Sequence, residues 1–177
     1  MIIVTDCDGV LLSWFHSFEW WMKRKGYKAV TISYDVSEQY DISKKHATDL
    51  VEIFCESAAI GYLPPLKDAI KYVRKLHEER GAVFHCITSI GTDPYAIKLR
   101  EQNLNRVFGE TVFERIHCLP CGAGKTEALE RYRDSDFVWV EDKLENANIG
   151  AEMGLRSFLI DHPYNRTGVA HYDVTRV

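Results

Sequence analysis

Two aspartates one residue apart, Asp6 and Asp8, follow the apolar run Ile2–Thr5 and precede Gly9. Like charges so close repel, and neither residue favours a strand. An acidic turn would account for them, since Asp and Gly both form turns. The other reading is chemical. A carboxylate at the carboxyl end of a buried strand can attack phosphorus and form an acyl phosphate, which divides a hydrolysis into two steps. An anionic nucleophile meeting an anionic substrate needs a hard cation, and Mg²⁺ prefers carboxylate and water oxygens. Asp8 would then protonate the leaving oxygen, a role that a crowd of carboxylates favours. Gly9 permits the sharp exit from the strand.

Three further stretches carry compatible chemistry. Ile87-Thr88-Ser89 places hydroxyls at the end of a second apolar run, where they can hold a phosphoryl oxygen or simply shape the turn before Gly91. Lys125 stands where a helix should start, so it is either a solvated lysine or a cation that neutralises nucleophile and phosphate. Glu141 and Asp142 end the run Val138-Trp139-Val140 and would complete a metal site with Asp6, or cap the following helix. GAGKT, residues 122–126, is not a phosphate-binding P-loop, because that pattern requires glycine where Leu119 stands.

The elements that must position these residues alternate. Five β-rich runs recur, Ile2–Thr5, Ala82–Thr88, Arg115–Leu119, Phe137–Val140 and Ser157–Ile160. Helical patterns lie between the later ones: one begins at Asp93-Pro94 and stops before Gly109, one spans Lys125 to Arg133, and one spans Lys143 to Met153. Strands alternating with helices predict an α/β fold, a Rossmann-like, doubly wound parallel sheet of about five strands, with ligands at the strands' carboxyl ends. Residues 9–81 are too many for one crossover. Helical spacing accounts for Pro64 to Arg80, and helices over Ser13 to Lys25 and Ser43 to Ala59 are expected before it. The division is a catalytic core of residues 1–12 and 62–177, with a small helical cap of residues 13–61.

Composition sets outer bounds. The chain has 177 residues, 46% hydrophobic and 27% charged, which suits one well-packed core. A formal charge of −4 argues against a broad electrostatic grip on nucleic acid. No stretch approaches the ~20 apolar residues of a membrane span, and with an aspartate by residue 6 no positively charged leader followed by an apolar run is expected. The expected setting is cytoplasmic, with no membrane partner. Five cysteines, an odd number, fit reduced thiols. Cys118-Leu-Pro-Cys121 is a solitary CxxC pair, without the second pair or histidine that a zinc site needs.

Taken together, DCDGV, ITS, Lys125 and VEDKLEN resemble the four motifs of the haloacid dehalogenase-like phosphohydrolase superfamily, and they span nearly the whole chain outside the cap. The resemblance implies a Rossmann-like core, Mg²⁺ and an aspartyl-phosphate intermediate. It implies Asp6 as nucleophile and metal ligand, and Asp8 as a ligand through its backbone carbonyl and as acid–base through its side chain. It also implies Asp142 as a metal ligand, Thr88 and Lys125 on the phosphate with Ser89 beside them, and Glu141 acting behind the ligands or through water. Dehalogenases of the superfamily generally lack the second aspartate, so phosphate transfer is favoured.

For the substrate, the cap between the first and second motifs is rich in aromatic residues, among them Trp14, Phe15, Phe18 and Tyr34. Such rings can stack on a base or merely pack the cap. Thr88-Ser89 and His162-Pro163-Tyr164-Asn165-Arg166 resemble the 5′(3′)-deoxyribonucleotidase branch, although Glu-Asp replaces its usual pair of aspartates. The expected partner is a small phosphorylated substrate, with nucleoside monophosphates first. Small sugar phosphates or phosphoglycolate come second, and an idle phosphate-ligand binding protein is the non-enzymatic alternative.

Overall fold

β-Branched and apolar residues at the head of the chain make strand β1 (Ile2–Thr5) the centre of a sheet. In the computed structural model, which describes residues 1–177, β1 pairs in parallel with β2 (Val83–Thr88) on one side and β4 (Val138–Glu141) on the other. β3 (Phe113–Cys118) flanks β2, while β5 (Arg156–Leu159) and β6 (Val174–Arg176) continue beyond β4. The order β3-β2-β1-β4-β5-β6 makes a six-stranded, wholly parallel sheet. It contains one strand more than the expected five, because β6 is three residues long and mostly exposed, too short for a periodic signal. Edge strand β3 carries exposed Glu114, Arg115 and His117, charge and polarity that discourage pairing with another chain.

The connections are helices. Asp93 caps α5 (Pro94–Phe108), its side chain accepting from Ala96 N at 2.8 Å, and Pro94 fills the first turn. α6 (Thr126–Glu130) precedes β4, and α7 (Leu144–Glu152) joins β4 to β5. Three expected helices are shorter than their apolar spacing suggested, α6 among them, since it ends at Glu130 rather than Arg133. α3 (Lys44–Cys55) stops before Ala59, because Ser57 caps a separate 3₁₀ turn over Ala58–Tyr62. α4 (Ala69–Arg74) starts only after Asp68, at φ +64°, and widens into a π turn over Lys75–Glu79. Pro64 to Leu66 instead run alongside the first exit from the core: Ser13 N donates to Pro64 O at 2.8 Å and Leu66 N to Leu11 O at 2.9 Å.

Between these paired crossings lie α1 (Trp14–Arg24), the unanticipated α2 (Val36–Tyr40) and α3. Most of the aromatic residues here serve packing. Trp14 stacks on Phe18 with centroids 4.6 Å apart, and Phe54 meets Phe18 edge-on at 5.3 Å. Their cluster runs without a break into Ile3, Phe84 and Leu99 of the α/β core. Each fully buried aromatic or aliphatic side chain contributes roughly 1.5–3 kcal/mol, so the inserted helices are anchored rather than loosely appended. No helix is long and apolar enough to cross a membrane.

Candidate active site

β1 and β4 are neighbours whose outward connections diverge, which makes the crevice beyond their carboxyl ends the place where such sheets bind ligands. Asp6 continues β1, its N–H donating to Val140 O at 2.8 Å, so its carboxylate emerges beside Glu141 and Asp142. The three acids offer oxygens within 4.8 Å of one another, all buried. Lys125, the residue before α6, reaches into the group: its Nζ lies 2.6 Å from Asp6 Oδ1 and 2.8 Å from Glu141 Oε2. It is 3% exposed, which removes the reading of a solvated helix-start lysine.

One ammonium facing three buried carboxylates leaves an excess of negative charge. Burial, and then the charge of Glu141, push Asp6 up to about 7 against the pull of Lys125. Burial and the same two neighbouring acids hold Asp142 well above the ordinary carboxyl range. Glu141 is the exception. Burial works against its charge, yet Lys125 and local N–H donors hold it below the usual range. Its Oε1 accepts from the N–H groups of Asp142 and Lys143, each at 3.0 Å, and its Oε2 accepts from Lys125 and, at 3.3 Å, from Asn146 Nδ2. Glu141 thus fixes the turn out of β4 and orients Lys125, and its oxygens are already engaged.

Asp142 caps no helix. The position before α7 is Lys143, with no side-chain cap, and the Asp142 carboxylate instead accepts from Tyr164 OH at 2.5 Å. It lies hard against the backbone of Gly9: a Cβ there would fall 2.2 Å from Asp142 Oδ2, and Gly9 has φ +82°. Both observations require glycine at this place. The segment after β5 ties the two strand ends together. His162 Nε2 donates to Gly9 O at 2.7 Å, and Asn165 Nδ2 donates to Asp142 O and to Ile160 O, both at 2.7 Å.

This arrangement suits a divalent cation. The carboxylates of Asp6 and Asp142 are hard oxygen donors in surplus over the nearby positive charge, and the backbone carbonyl of Asp8 accepts no hydrogen bond within the protein.

The phosphate-binding expectations separate into unlike environments. Thr88 Oγ1 is buried without any hydrogen-bond partner, an orphaned polar atom at the end of β2. Ser89 lines the cavity, but its hydroxyl donates to Ala123 O at 3.0 Å and so braces the loop that leads to Lys125.

Asp8 does not stand in a carboxylate crowd. Both its oxygens are held by Arg100, Nη1 to Oδ1 at 2.6 Å and Nη2 to Oδ2 at 2.9 Å, and the guanidinium is completely buried. The sequence reading missed this partner. Its signal was an arginine on the same helical face as Ala96, Asn103 and Leu104, which are among the buried positions of α5. The next turn of that helix reaches the second crossing to the inserted helices: Asn103 Nδ2 donates to Leu63 O at 3.1 Å, and Arg106 Nη2 donates to Gly61 O.

Above the acids lies a cavity of about 410 Å³, walled by core residues and by α1, α2 and α3. Two rings, Phe15 and Tyr34, line one side of it, and Tyr164 packs against both. Phe15 lies 4.7 Å from Tyr164 and 5.6 Å from Tyr34, and Tyr34 lies 5.5 Å from Tyr164. Lys44 and Lys143 also face the cavity, and neither is ion-paired with a carboxylate.

Comparison with known proteins agrees with this geometry at the level of fold. No model of a known protein family matches the chain. An uncharacterized 32.4 kDa protein from the Gp30–rIII intergenic region of enterobacteria phage T4 is 29% identical over 161 residues, covering 85% of this chain and 57% of its own length. The chain therefore spans little more than half of that relative. A haloacid dehalogenase-like family hydrolase from Streptococcus pneumoniae superposes with a TM-score of 0.63 at 13% identity, over 99% of this chain and 92% of the other. D,D-heptose 1,7-bisphosphate phosphatase from B. bronchiseptica, solved with magnesium and phosphate, gives 0.59 at 13% identity over 99% and 91%. A predicted phosphoglycolate phosphatase from Haemophilus somnus gives 0.56 at 11% identity over 93% and 86%. The chain therefore has the Rossmann-like fold of the haloacid dehalogenase-like hydrolases, with its own acidic cluster at the carboxyl ends of β1 and β4.

Proposed function

We propose that the protein is a Mg²⁺-dependent phosphomonoester hydrolase that works through an aspartyl phosphate on Asp6, with nucleoside monophosphates as its substrate class. The observation that carries this reading is the contact of Asp6 and Lys125 at 2.6 Å beside two further buried acids, at the crevice between β1 and β4. A lone structural ion pair would not need the surplus carboxylates, which are costly to bury unpaired. Asp6, Asp142 and the Asp8 carbonyl would hold the cation, which supplies charge neutralisation between attacking carboxylate and phosphate.

The protein's own groups then divide the reaction. Lys125 and the Thr88 hydroxyl take phosphoryl oxygens and hold phosphorus in line with Asp6. The Asp6 carboxylate attacks phosphorus as the ester P–O bond breaks, and the departing oxygen takes a proton from Asp8. Water next attacks the phosphoenzyme, gives a proton back to Asp8, and releases phosphate as the P–O bond to Asp6 breaks. Asp8 must leave part of its fork with Arg100 to do this.

Phe15 and Tyr34 support the nucleotide class, since two aromatic rings on the cavity wall offer a base a stacking surface. A second reading has its own observation. Lys44 and Lys143, cationic and without carboxylate partners, suit a second anionic group on a small sugar phosphate or phosphoglycolate. Hydrolysis of p-nitrophenyl phosphate with and without Mg²⁺, beside Asp6→Asn, tests the chemistry. A panel of nucleotides, sugar phosphates and phosphoglycolate tests the substrate. A wild-type protein inert with Mg²⁺ would make the chain a phosphate-ligand binding protein, and activity on sugar phosphates alone would transfer the assignment to the second reading.

A further inference from the structure

We propose that Tyr164 is a positioning residue that selects the cation: its hydroxyl occupies one oxygen of Asp142, which limits that carboxylate to a single free oxygen and favours Mg²⁺ over Ca²⁺. The inference rests on the cation site proposed above and adds to it the choice of ion. Tyr164 OH donates to Asp142 Oδ2 at 2.5 Å. The same oxygen lies hard against Gly9, where a Cβ would fall 2.2 Å from Oδ2 and 3.0 Å from the Tyr164 hydroxyl. Oδ2 is thus engaged on one flank and walled on the other, and Oδ1 is left for a cation.

The phenol is held in place. Its ring lies nearly parallel to that of His162, with centroids 4.9 Å apart and planes inclined by 11°. Phe15 and Tyr34 pack against it at 4.7 and 5.5 Å. Its hydroxyl is not needed to anchor its own segment. Asn165 Nδ2 donates to Asp142 O and to Ile160 O, both at 2.7 Å, and Arg176 Nη1 donates to Asn165 O at 3.0 Å. His162 N donates to Asn165 Oδ1 at 3.1 Å, and His162 Nε2 to Gly9 O at 2.7 Å. These bonds fasten residues 162–165 without the phenol, whose one donor goes instead to a carboxylate beside Asp6 and Glu141.

The other carboxylates are restricted in the same way. Lys125 holds Asp6 Oδ1 at 2.6 Å. Both oxygens of Glu141 accept hydrogen bonds, and Arg100 takes both oxygens of Asp8. No acid here therefore offers a cation two oxygens at once. Mg²⁺ demands an octahedral set and keeps several waters, so single oxygens suit it. Ca²⁺ takes a larger and more flexible set, often with a carboxylate bound through both oxygens. Among these four engaged acids, Asp142 is the one whose second oxygen can be freed without removing a positive charge, because its partner is a neutral phenol.

Tyr164→Phe deletes the hydroxyl, keeps the ring among its neighbours and leaves the charge of the site unchanged. Isothermal titration of the full-length chain, with Mg²⁺ and separately with Ca²⁺, reads the effect without any substrate. The ratio of Ca²⁺ to Mg²⁺ affinity should rise roughly tenfold in the variant, as expected for a hydrogen-bond partner of a metal ligand. Tyr164→Met, which also lacks a donor, should shift the ratio in the same direction. A hydroxyl that only braced the segment would weaken both ions together, so a ratio unchanged or lowered in the two variants would overturn the selection. That result would leave the cation site standing. A wild type that binds neither ion would overturn the site and the selection together. A wild type that shows the shift yet hydrolyses no phosphate ester would keep the selection and defeat the phosphatase reading.

Discussion

Replacing Asp6 by Asn should make the metal-free protein more stable at neutral to alkaline pH while abolishing turnover. Asn keeps the shape of the side chain and removes its charge. Raising a carboxyl from its ordinary 3.8 to about 7 corresponds to at most about 4 kcal/mol, at roughly 1.4 kcal/mol per tenfold change in proton affinity. The pull of Lys125 at 2.6 Å is already part of that balance, so the variant should gain about 2–4 kcal/mol once the charge is removed. The pH dependence has a definite sign. Asp6 binds its proton more tightly folded than unfolded, so protonation favours the native state. The wild type should be most stable, as far as this residue goes, below about pH 4, should lose that stability as pH rises to about 7, and should level off above it. Asn has no such dependence. In EDTA at pH 8 the variant's Tm should exceed that of wild type by several degrees, at about 2–4 °C per kcal/mol for a chain of this size. The gap should narrow as pH falls from 7 towards 4. Mg²⁺ should raise the wild-type Tm at pH 8 and leave the variant nearly unmoved. A variant whose Tm difference from wild type is the same at pH 5 and pH 8, or which Mg²⁺ protects as well as wild type, would refute a buried charge excess at this site.

Gly9→Ala should lose at least about 1–2 kcal/mol in urea unfolding from its positive φ alone, and calorimetry should show weakened Mg²⁺ binding because the new methyl displaces Asp142. Arg100→Met should cost about 3–5 kcal/mol by leaving the Asp8 carboxylate without its buried partner, and adding Asp8→Asn should recover part of that loss in a double-mutant cycle. Phe15→Ala combined with Tyr34→Ala should raise KM for nucleoside monophosphates roughly tenfold or more, while turnover of a small aliphatic phosphate stays unchanged; equal effects on both would remove the stacking role.

The parallel α/β class and the meeting of Asp6 with Glu141 and Asp142 were legible because they depend on short apolar runs ending in acids, a pattern written locally, whereas the order of the strands was not read from it. The burial of Lys125 was legible only as one of two readings, since the same residue at a helix start is usually solvated. What escaped was written in tertiary contacts. Arg100 looks like any helical arginine until α5 is docked, and then it is the counter-charge of Asp8. The helix boundaries at Cys55 and Asp68 were set by a serine cap and by pairing of the two crossings, which override apolar spacing. Strand β6 gave no signal, because three mostly exposed residues have no periodicity to detect. Among the aromatic residues, composition did not separate packing rings such as Phe18 and Phe54 from the cavity rings Phe15 and Tyr34; only their neighbours do.

Helix α5 grips Asp8 through Arg100, and one turn later it grips the returning crossing through Asn103 and Arg106. The Asp8 carboxylate and the second crossing to the inserted helices therefore hang from a single helix, so a substitution that shifts α5 disturbs both attachments together.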